Sequence, residues 1–416
     1  MSSDIARFLA ENGFVTAEAL DRPSFIESFL GEISRALAGE KSSLQMIRSY
    51  LKPCGGIPSG KKVSVLDAGG TNLRSAVVTV PGGVSHLRKQ PMPGTLGEVS
   101  REEFFRILGD EVRLNLAHVD DDRIGFCFSY DAEATPDLDA CLRAWNKGIR
   151  APEVVGRLVG RELSAELGRG PVVVVNDTVT TLLAAKAQEI GRGFDTYVGF
   201  ILGTGLNAAY PEPMRGGEIF NTEAGGFDAL PQSAFDRAMD ARQPDTGAFP
   251  LEKMSAGAYL GPLAHEVFRG AADAGLLDLC AARGLEGLET LSTVELDAFV
   301  SGDMTVASGS PLERVFSSNV SRQRARELGL AVFQRAAALA GLVLSATVIR
   351  AAGPDGRLSV AVNVDGSTYY KSRSVSFSRA VGQELDACVR SRGIAVEILP
   401  QIPDSPLLGA AVAALL

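Results

Sequence analysis

The chain has 416 residues, which at roughly 100 to 200 residues per domain allows two or three domains with a sizeable core. Hydrophobic residues make up 45% and charged residues 22%, and this ordinary composition excludes collagen-like and low-complexity chains. A net charge of −9, without a run of five or more basic residues, argues against nucleic acid as a partner.

The five cysteines are widely spaced without a CxxC pair, and the chain has only three histidines. Neither a disulfide framework nor a zinc site is therefore expected. The N-terminal MSSDIARFLAENGF lacks the apolar core of a secretion signal, so we expect a cytoplasmic location. The longest uncharged apolar stretch, 336–349, has 14 residues, too short to cross a bilayer, and predicts a buried helix and no membrane partner.

The first predicted element is a helix, because apolar residues from Phe25 to Leu51 recur at spacings of three, four and seven. Pro53 ends this pattern. Beyond Gly60, the β-rich runs VSVLD and LRSAVVTV flank a glycine pair, which is typical of a strand, a tight turn and a second strand. A helix over 102–118 and a strand from Arg123 follow.

The run PVVVVND at 171–177 predicts a strand buried on both faces, followed by a helix. A second strand-turn-strand unit, YVGFILGTGLNAAY, spans 197–210. The alternation of strands and helices predicts an α/β protein, and the two similar units predict two lobes. The remaining predicted elements are a long helix (322–350), the strand RLSVAVNVDGS, a helix (377–391), the strand AVEILP and a terminal helix, LLGAAVAALL.

The first candidate site is the turn from Asp67 to Asn72. Its glycines let main-chain N–H groups approach a phosphate closely, and Asp67 at the strand end can hold hydrated Mg²⁺. The alternative is an ordinary β-hairpin turn. The sequence contains neither a Walker A loop nor a Rossmann fingerprint at this point.

The second candidate is Gly203-Thr204-Gly205, again between two strands and again open to interpretation as a plain hairpin. Two matching turns together favour a nucleotide held by its phosphates between two lobes. This is the plan of actin, the heat-shock ATPases and the sugar kinases.

The third candidate is Asn176-Asp177-Thr178, at the carboxyl end of the four-valine strand. Ligands of open α/β sheets gather outside the carboxyl ends of strands, which makes Asp177 a candidate for chemistry. The alternative is helix capping, and both roles are compatible if Thr178 takes the cap.

With these motifs in this order, the sequence resembles the hexokinase family, specifically the eukaryotic-type hexokinases and glucokinases. The resemblance implies an α/β, two-lobed actin-like ATPase (ribonuclease H-like) fold with a central cleft. It implies a small domain, 61–177 plus 405–416, and a large domain, 1–60 plus 178–404. The motifs that carry it are LDAGGTNLR, GFCFSYD, AWNKGI, VVNDTVTTLL, GTGLNAAY, FNTEAGGF, LPQSAFDRAMD, LEKMSAGAYLG and VDGSTYY.

The resemblance implies ATP-dependent phosphorylation of a hexose at its C6 hydroxyl, with glucose expected before mannose or fructose, by a monomer or homodimer. It makes Asp177 the general base and places Lys147 near the reacting phosphoryl group. Closure of the lobes on the sugar is expected to exclude water. The residues implied to surround the sugar are Ser129, Asn146, Lys147, Asn176, Asp177, Asn207, Glu223 and Glu252.

For ATP and Mg²⁺, the resemblance implies contacts from both glycine turns and from the segment near Ser367. Asp67 is the implied partner of Mg²⁺, through water. The residues implied to contact the nucleotide are Asp67, Gly69, Gly70, Thr71, Asn72, Arg74, Thr178, Gly203, Thr204, Gly205, Gly257 and Ser367.

Three departures from the family pattern bear on the site, the first two on sugar preference and the third on nucleotide contacts. Where the family has Ser-Phe-Pro, this chain has Ser129-Tyr130-Asp131. It has Asn146 in place of the family's threonine and Ala258 in place of the family's lysine. They leave open an alternative function, a catalytically weak sugar-binding regulatory protein on the same fold. A third reading, an actin-like or heat-shock-like ATPase, has no use for the sugar-facing residues.

Overall fold

The computed structural model describes residues 1–53, 56–145, 148–188, 193–302, 310–354, 356 and 358–416. Two β-sheets and a β-hairpin are joined and covered by helices. The strands are β1 (Ile47–Arg48), β2 (Lys61–Ala68), β3 (Asn72–Val80), β4 (Gly83–Pro91), β5 (Ile124–Phe128), β6 (Asp131–Ala134), β7 (Ala140–Ala144), β8 (Val172–Val175), β9 (Thr196–Leu202), β10 (Leu206–Glu212), β11 (Glu218–Asn221), β12 (Val360–Asp365) and β13 (Val396–Ile398).

The helices of the described residues are α1 (Ser3–Glu11), α2 (Arg22–Leu37), α3 (Arg101–Arg113), α4 (Val159–Leu167), α5 (Asp177–Gln188), α6 (Ala234–Asp240), α7 (Pro250–Ser255), α8 (Leu260–Asp273), α9 (Leu279–Glu286), α10 (Thr293–Ser301), α11 (Pro311–Val315), α12 (Asn319–Ala351), α13 (Ser367–Lys371), α14 (Phe377–Arg390) and α15 (Ser405–Leu415).

The first sheet has the strand order β4-β3-β2-β5-β8. Strand β2 pairs antiparallel with β3 and parallel with β5, and β5 pairs parallel with β8. All four valines of β8 are buried, as the continuous apolar run predicts. The parallel strands β2, β5 and β8 therefore end at the same edge of the sheet, where the first and third candidate motifs begin.

The second sheet has the order β1-β11-β10-β9-β12-β13. Strands β9 and β10 form the predicted antiparallel pair, and β9 pairs parallel with β12. This brings the end of β12 beside the glycine turn that follows β9, since Asp365 is in register with Ile201.

Helices α5 and α15 lie between the two sheets. Helix α5 packs on β9, β10 and β12, whereas α15 packs on β2, β3 and β5, and the two helices pack on each other. The close packing depends on small residues: a Cβ on Gly409 would overlap the carbonyl of Thr180, and one on Gly125 would overlap that of Ala410. The division of these helices between the sheets follows the predicted domains, whose limits stay a prediction.

The N-terminal helix is shorter than the sequence predicts. The N-terminal helix ends at Leu37, so its predicted extension to Leu51 is wrong. Gly39 adopts φ +79°, which ends the helix, and Ile47 pairs with Asn221 in the second sheet. Beyond the helix, Leu44 and Leu51 are buried in loops and Ile47 is half-buried in β1, so the apolar spacing continues without a helix.

The long helix α12 has 33 residues and is long and apolar enough to span a membrane. In this fold 89% of its most apolar 18-residue window is buried within the protein. Such burial fits the core helix predicted from the stretch 336–349.

Candidate active site

The first glycine turn is organised around Asp67, near the end of β2. Arg74 on β3 donates through Nε to the Asp67 carboxylate at 2.7 Å, and through Nη1 to Asp404 at 3.0 Å. Burial raises the pKa of Asp67, and the ion pair with Arg74 opposes this rise. Asp67 and Arg74 thus form an ion pair next to the turn.

The turn itself presents Gly69, Thr71 and Asn72 to solvent. The Asn72 amide donates to the Thr71 hydroxyl at 3.3 Å. The carbonyl of Gly70 accepts a hydrogen bond from the Tyr130 hydroxyl at 2.5 Å. The predicted phosphate-binding residues of this turn therefore lie together on an accessible surface.

The second glycine turn is held by close packing of main-chain atoms. The Gly203 carbonyl accepts from the Gly257 amide and from the Thr368 hydroxyl, both at 2.8 Å. A Cβ on Gly366 would overlap the carbonyl of Leu202, and Gly366 has φ +123°. Only glycine fits at this crossing of two loops.

A cavity of about 400 Å³ opens beside the second turn. Thr204, Gly257 and Ser367, all predicted nucleotide contacts, line it together with Ala258 and Lys371. The structure thus joins residues from three separated motifs at one pocket. Ala258, where the family has lysine, faces the same space.

The third motif forms the start of α5. The side-chain Oδ1 of Asn176 accepts from the main-chain N–H of Thr178 at 2.9 Å, so Asn176 caps this helix. The predicted Thr178 cap is wrong: Thr178 is buried, and its hydroxyl donates to the Asp177 carboxylate at 3.3 Å. The hydroxyls of Thr180 and Thr181 donate to the Asp177 carbonyl at 2.8 and 2.9 Å.

Three of the predicted sugar contacts line a cavity of about 480 Å³ outside the carboxyl ends of β5 and β8, whereas Asp177, Asn207 and Glu252 are not among its lining residues. Ser129, Asn176 and Glu223 line it, together with Asp131, which the family pattern does not have. Other side chains lining this cavity are Gln45, Arg48, Tyr130, Trp145, Asn221, Asp245 and Phe249.

Glu223 is fixed by two amides. The side chains of Asn207 and Asn221 donate to its Oε1 at 3.0 and 2.7 Å, and its main chain has φ +53°. Burial raises the pKa of Glu223, and the nearby charges of Asp177 and Asp131 add to this rise. Glu223 is thus held in place by donors and surrounded by other carboxylates.

Glu252, on α7, borders the exit of the second glycine turn. Its Oε2 accepts from the Leu206 amide at 3.0 Å. Gly205 and Gly225 leave the space that this side chain occupies. Burial raises the pKa of Glu252 to about 7, a rise that the charge of Glu223 reinforces.

Asn146 and Lys147 lie outside the described residues. Their neighbour Trp145 lines the cavity and donates through its indole N–H to the carbonyl of Ala151 at 2.6 Å.

The sequence analysis missed two carboxylates. Asp365, at the end of β12, is buried enough for desolvation to raise its pKa, with further contributions from Asp177 and Asp67. Its position directly before Gly366-Ser367 was a usable signal. Asp404 pairs with Arg74, 330 residues away, and no local pattern marks it.

The donor set near the first turn fits a magnesium ion, which prefers carboxylate, phosphate and water oxygens. Asp67 and Asp365 supply carboxylates, and the charge of Asp67 contributes to the raised pKa of Asp365. Over the described ranges, no group of three or more His, Cys, Asp or Glu side chains converges into a cage. An ion at this place would therefore be held by few protein ligands, with water and phosphate completing its shell.

Comparison with known families gives matches over nearly the whole chain. Residues 197–416 match one family model described as Hexokinase, and residues 12–187 match a second with the same description. Hexokinase-1 of Schizosaccharomyces pombe is 29% identical over 92% of this chain and 86% of its own length. Hexokinase-2 of Oryza sativa subsp. japonica is 31% identical over 57% of this chain and 54% of its own length.

Solved structures show the same fold. A hexokinase from Schistosoma mansoni in complex with glucose superposes with a TM-score of 0.76 at 27% identity, covering 100% of both chains. A further crystal structure of a hexokinase has a TM-score of 0.78 at 24% identity, covering 100% of this chain and 99% of its own. The predicted two-lobed, actin-like α/β fold is confirmed.

Proposed function

Because the chain belongs to the hexokinase family, whose members phosphorylate sugars, we propose that it transfers the γ-phosphoryl group of ATP to the C6 hydroxyl of a hexose, with glucose preferred. The observation that carries the proposal is the cavity at the carboxyl ends of β5 and β8. Asn176 and Glu223 line this cavity, and Asp177 lies close enough to influence the pKa of Glu223.

In this proposal Asp177 accepts the proton of the reacting hydroxyl. The carboxylate is held by the Thr178 hydroxyl, and its main-chain carbonyl is held by Thr180 and Thr181. These contacts fix the base at the first turn of a buried helix. Such positioning matters because phosphoryl transfer depends on placement and charge stabilisation more than on covalent chemistry.

The sugar is recognised through directional hydrogen bonds. Asn176 and Asn207 offer both donors and acceptors, whereas Glu223 offers acceptors. Asn207 is itself fixed, since its carbonyl oxygen accepts from the Ala208 amide at 2.8 Å and its amide holds Glu223. A site that satisfies each hydroxyl discriminates strongly against analogues that lack one.

The two glycine turns are proposed to bind the phosphates of ATP. Asp67 and Asp365 are proposed as the carboxylates that would hold Mg²⁺. The ion would neutralise part of the negative charge of the phosphates. Arg74 adds a fixed positive charge, held in place by Asp67 and Asp404. The adenosine would occupy the cavity beside Ser367.

The proposal is tested by ADP release from purified protein and Mg-ATP, first without sugar and then with glucose, mannose, fructose, glucosamine and galactose. Turnover that requires a hexose supports it. Absence of turnover with every sugar, together with thermal stabilisation by glucose, would favour the sugar-binding regulatory protein instead.

The role of Asp177 is tested by Asp177→Ala, which we expect to lower kcat by at least about 100-fold while leaving ATP binding nearly unchanged. Asp110→Ala is the matched control, because it removes an exposed carboxylate on α3 whose ion pairs, within the described part of the chain, are those with Arg106 and Arg113. Near-normal turnover of Asp177→Ala would exclude Asp177 as the base.

A further inference from the structure

The Tyr130 hydroxyl joins two parts of the site that bind different substrates in the proposed function. Tyr130 lies between Ser129 and Asp131, and all three line the cavity at the carboxyl ends of β5 and β8 that is proposed to hold the sugar. Its hydroxyl donates at 2.5 Å to the carbonyl of Gly70, in the middle of the first glycine turn. The amide of Ser129 also donates, at 3.1 Å, to the carbonyl of Ala68.

The tyrosine ring is held rigidly. It is only 5% exposed and contacts Phe128 and Trp145, both with ring centroids 4.9 Å away. Burial raises the pKa of Tyr130, with a further contribution from Asp67, so its hydroxyl remains a donor at neutral pH. The position of the hydroxyl is therefore set by the packing of the sugar-side segment.

The hydrogen bond from Tyr130 fixes the orientation of a whole peptide unit as well as that of the Gly70 carbonyl. A peptide unit is planar, so the direction of the Gly70 carbonyl also sets the direction of the Thr71 N–H, which points the opposite way. Thr71 is exposed on the accessible surface of the turn. Main-chain N–H groups in such a turn recognise a phosphate only when they point at it together.

We propose that Tyr130 is a positioning residue that orients the phosphate-binding turn and couples it to the sugar-lining segment. The inference rests on the proposed function, in which the two segments bind the two substrates. Tyr130 transmits the position of the sugar-side segment to the Thr71 amide through the Gly70 peptide. A hexose that shifts the 129–131 segment thereby shifts the Thr71 amide and improves nucleotide binding.

The test is Tyr130→Phe, which keeps the ring and its packing and removes only the hydroxyl. The KM for ATP is expected to rise about three- to tenfold, which corresponds to the free energy of one hydrogen bond. The KM for glucose is expected to change less than twofold. Titration calorimetry with Mg-ADP, with and without glucose, is expected to show that glucose improves nucleotide affinity less in the variant than in the wild type.

Tyr210→Phe is the matched control, because its buried hydroxyl donates to Glu212 and not to the glycine turn. It is expected to lower the melting temperature with the KM for ATP unchanged within twofold. A loss of stability without a nucleotide effect in Tyr130→Phe would show that the hydroxyl is merely structural, and would overturn the inference.

The two proposals fail separately. A wild type that binds Mg-ADP but releases no ADP with any hexose contradicts the proposed function, and calorimetry still decides the role of Tyr130. Equal Mg-ADP affinities and equal glucose effects in wild type and Tyr130→Phe overturn the role of Tyr130 alone. A wild type that binds no nucleotide overturns both.

Discussion

The two glycine turns share a strand-turn-strand plan but are held in place by different forces. The first depends on polar side chains: Arg74 contacts Asp67, and the Tyr130 hydroxyl contacts the Gly70 carbonyl. The second depends on main-chain packing, in which Gly257 and Gly366 lie directly against the turn around Gly203. The first turn is held mainly by charged and polar side chains, and the second mainly by close main-chain packing, with Thr368 and Glu252 as its side-chain contacts.

The difference implies different vulnerabilities. A turn held by polar side chains responds to a change of charge, whereas a turn held by backbone contact responds to a single added methyl group. The same substitution, glycine to alanine, should therefore cost much more stability where the added Cβ meets main-chain atoms at the second turn than where it meets a side chain at the first.

Gly366→Ala is expected to destabilise the protein by about 3 kcal/mol or more, because the new Cβ would overlap the Leu202 carbonyl and φ is +123°. Urea unfolding measures the loss. Gly382→Ala is the matched control, since Gly382 lies in α14 and an added Cβ would have only one contact, Ile398 at 4.0 Å. Equal stability of the two variants would contradict backbone packing as the support of the second turn.

Glu252 makes the second turn sensitive to pH. Its pKa is about 7 in the fold against an ordinary 4.5, so the folded state keeps a proton that the unfolded chain releases. Its contribution to stability is complete below pH 4.5 and is lost as pH rises through 7, by up to about 3 kcal/mol.

Glu252→Gln should remove this pH dependence. Urea unfolding of wild type and variant at several values between pH 5 and 8 measures the effect. Identical slopes of stability against pH in the two proteins would show that Glu252 does not hold the proton.

Asp67→Asn is expected to destabilise the protein by about 1 to 3 kcal/mol, because Arg74 loses its closer carboxylate while 26% of its side chain remains exposed. Asp404→Asn serves as the comparison, since it removes the 3.0 Å contact to a carboxylate that is 31% exposed, and a smaller loss is expected. The reverse order of the two losses, measured by urea unfolding, would argue against Asp67 as the main anchor of the first turn.

Gly69→Ala should cost about 1 kcal/mol or less, because the nearest atoms to the added Cβ belong to the Asp67 side chain, at 3.3 Å, and a shift of a few tenths of an ångström relieves the contact. The melting temperature is the measurement. A loss as large as that of Gly366→Ala would remove the contrast between the turns.

The strand-turn-strand units were predictable because alternating β-rich runs and glycine pairs are local signals. The end of the first long helix was not, because Leu44 and Ile47 continue the apolar spacing after Gly39 has broken the helix. Apolar spacing reports burial, and here burial continues in a strand of the second sheet.

The site was predictable where its residues lie at or just beyond the ends of strands, as Asp67 and Asp177 do. Asp404 and the Tyr130 hydroxyl escaped because their partners are distant in the chain, and only the packed fold brings them together. Thr178 was misassigned because Asn176, Asp177 and Thr178 are all good caps, and only the geometry of the helix start chooses among them.

The small residues between helices α5 and α15 act as a spacer whose thickness sets the separation of the two sheets. Gly409 lies against Thr180 on one side, and Ala410 lies against Gly125 on the other. A larger side chain here would tilt one sheet relative to the other, and displacement would grow with distance from the helices. These residues line neither the cavity beside β5 and β8 nor the cavity beside Ser367, so a substitution among them could change the angle between the sheets while leaving both cavity linings intact.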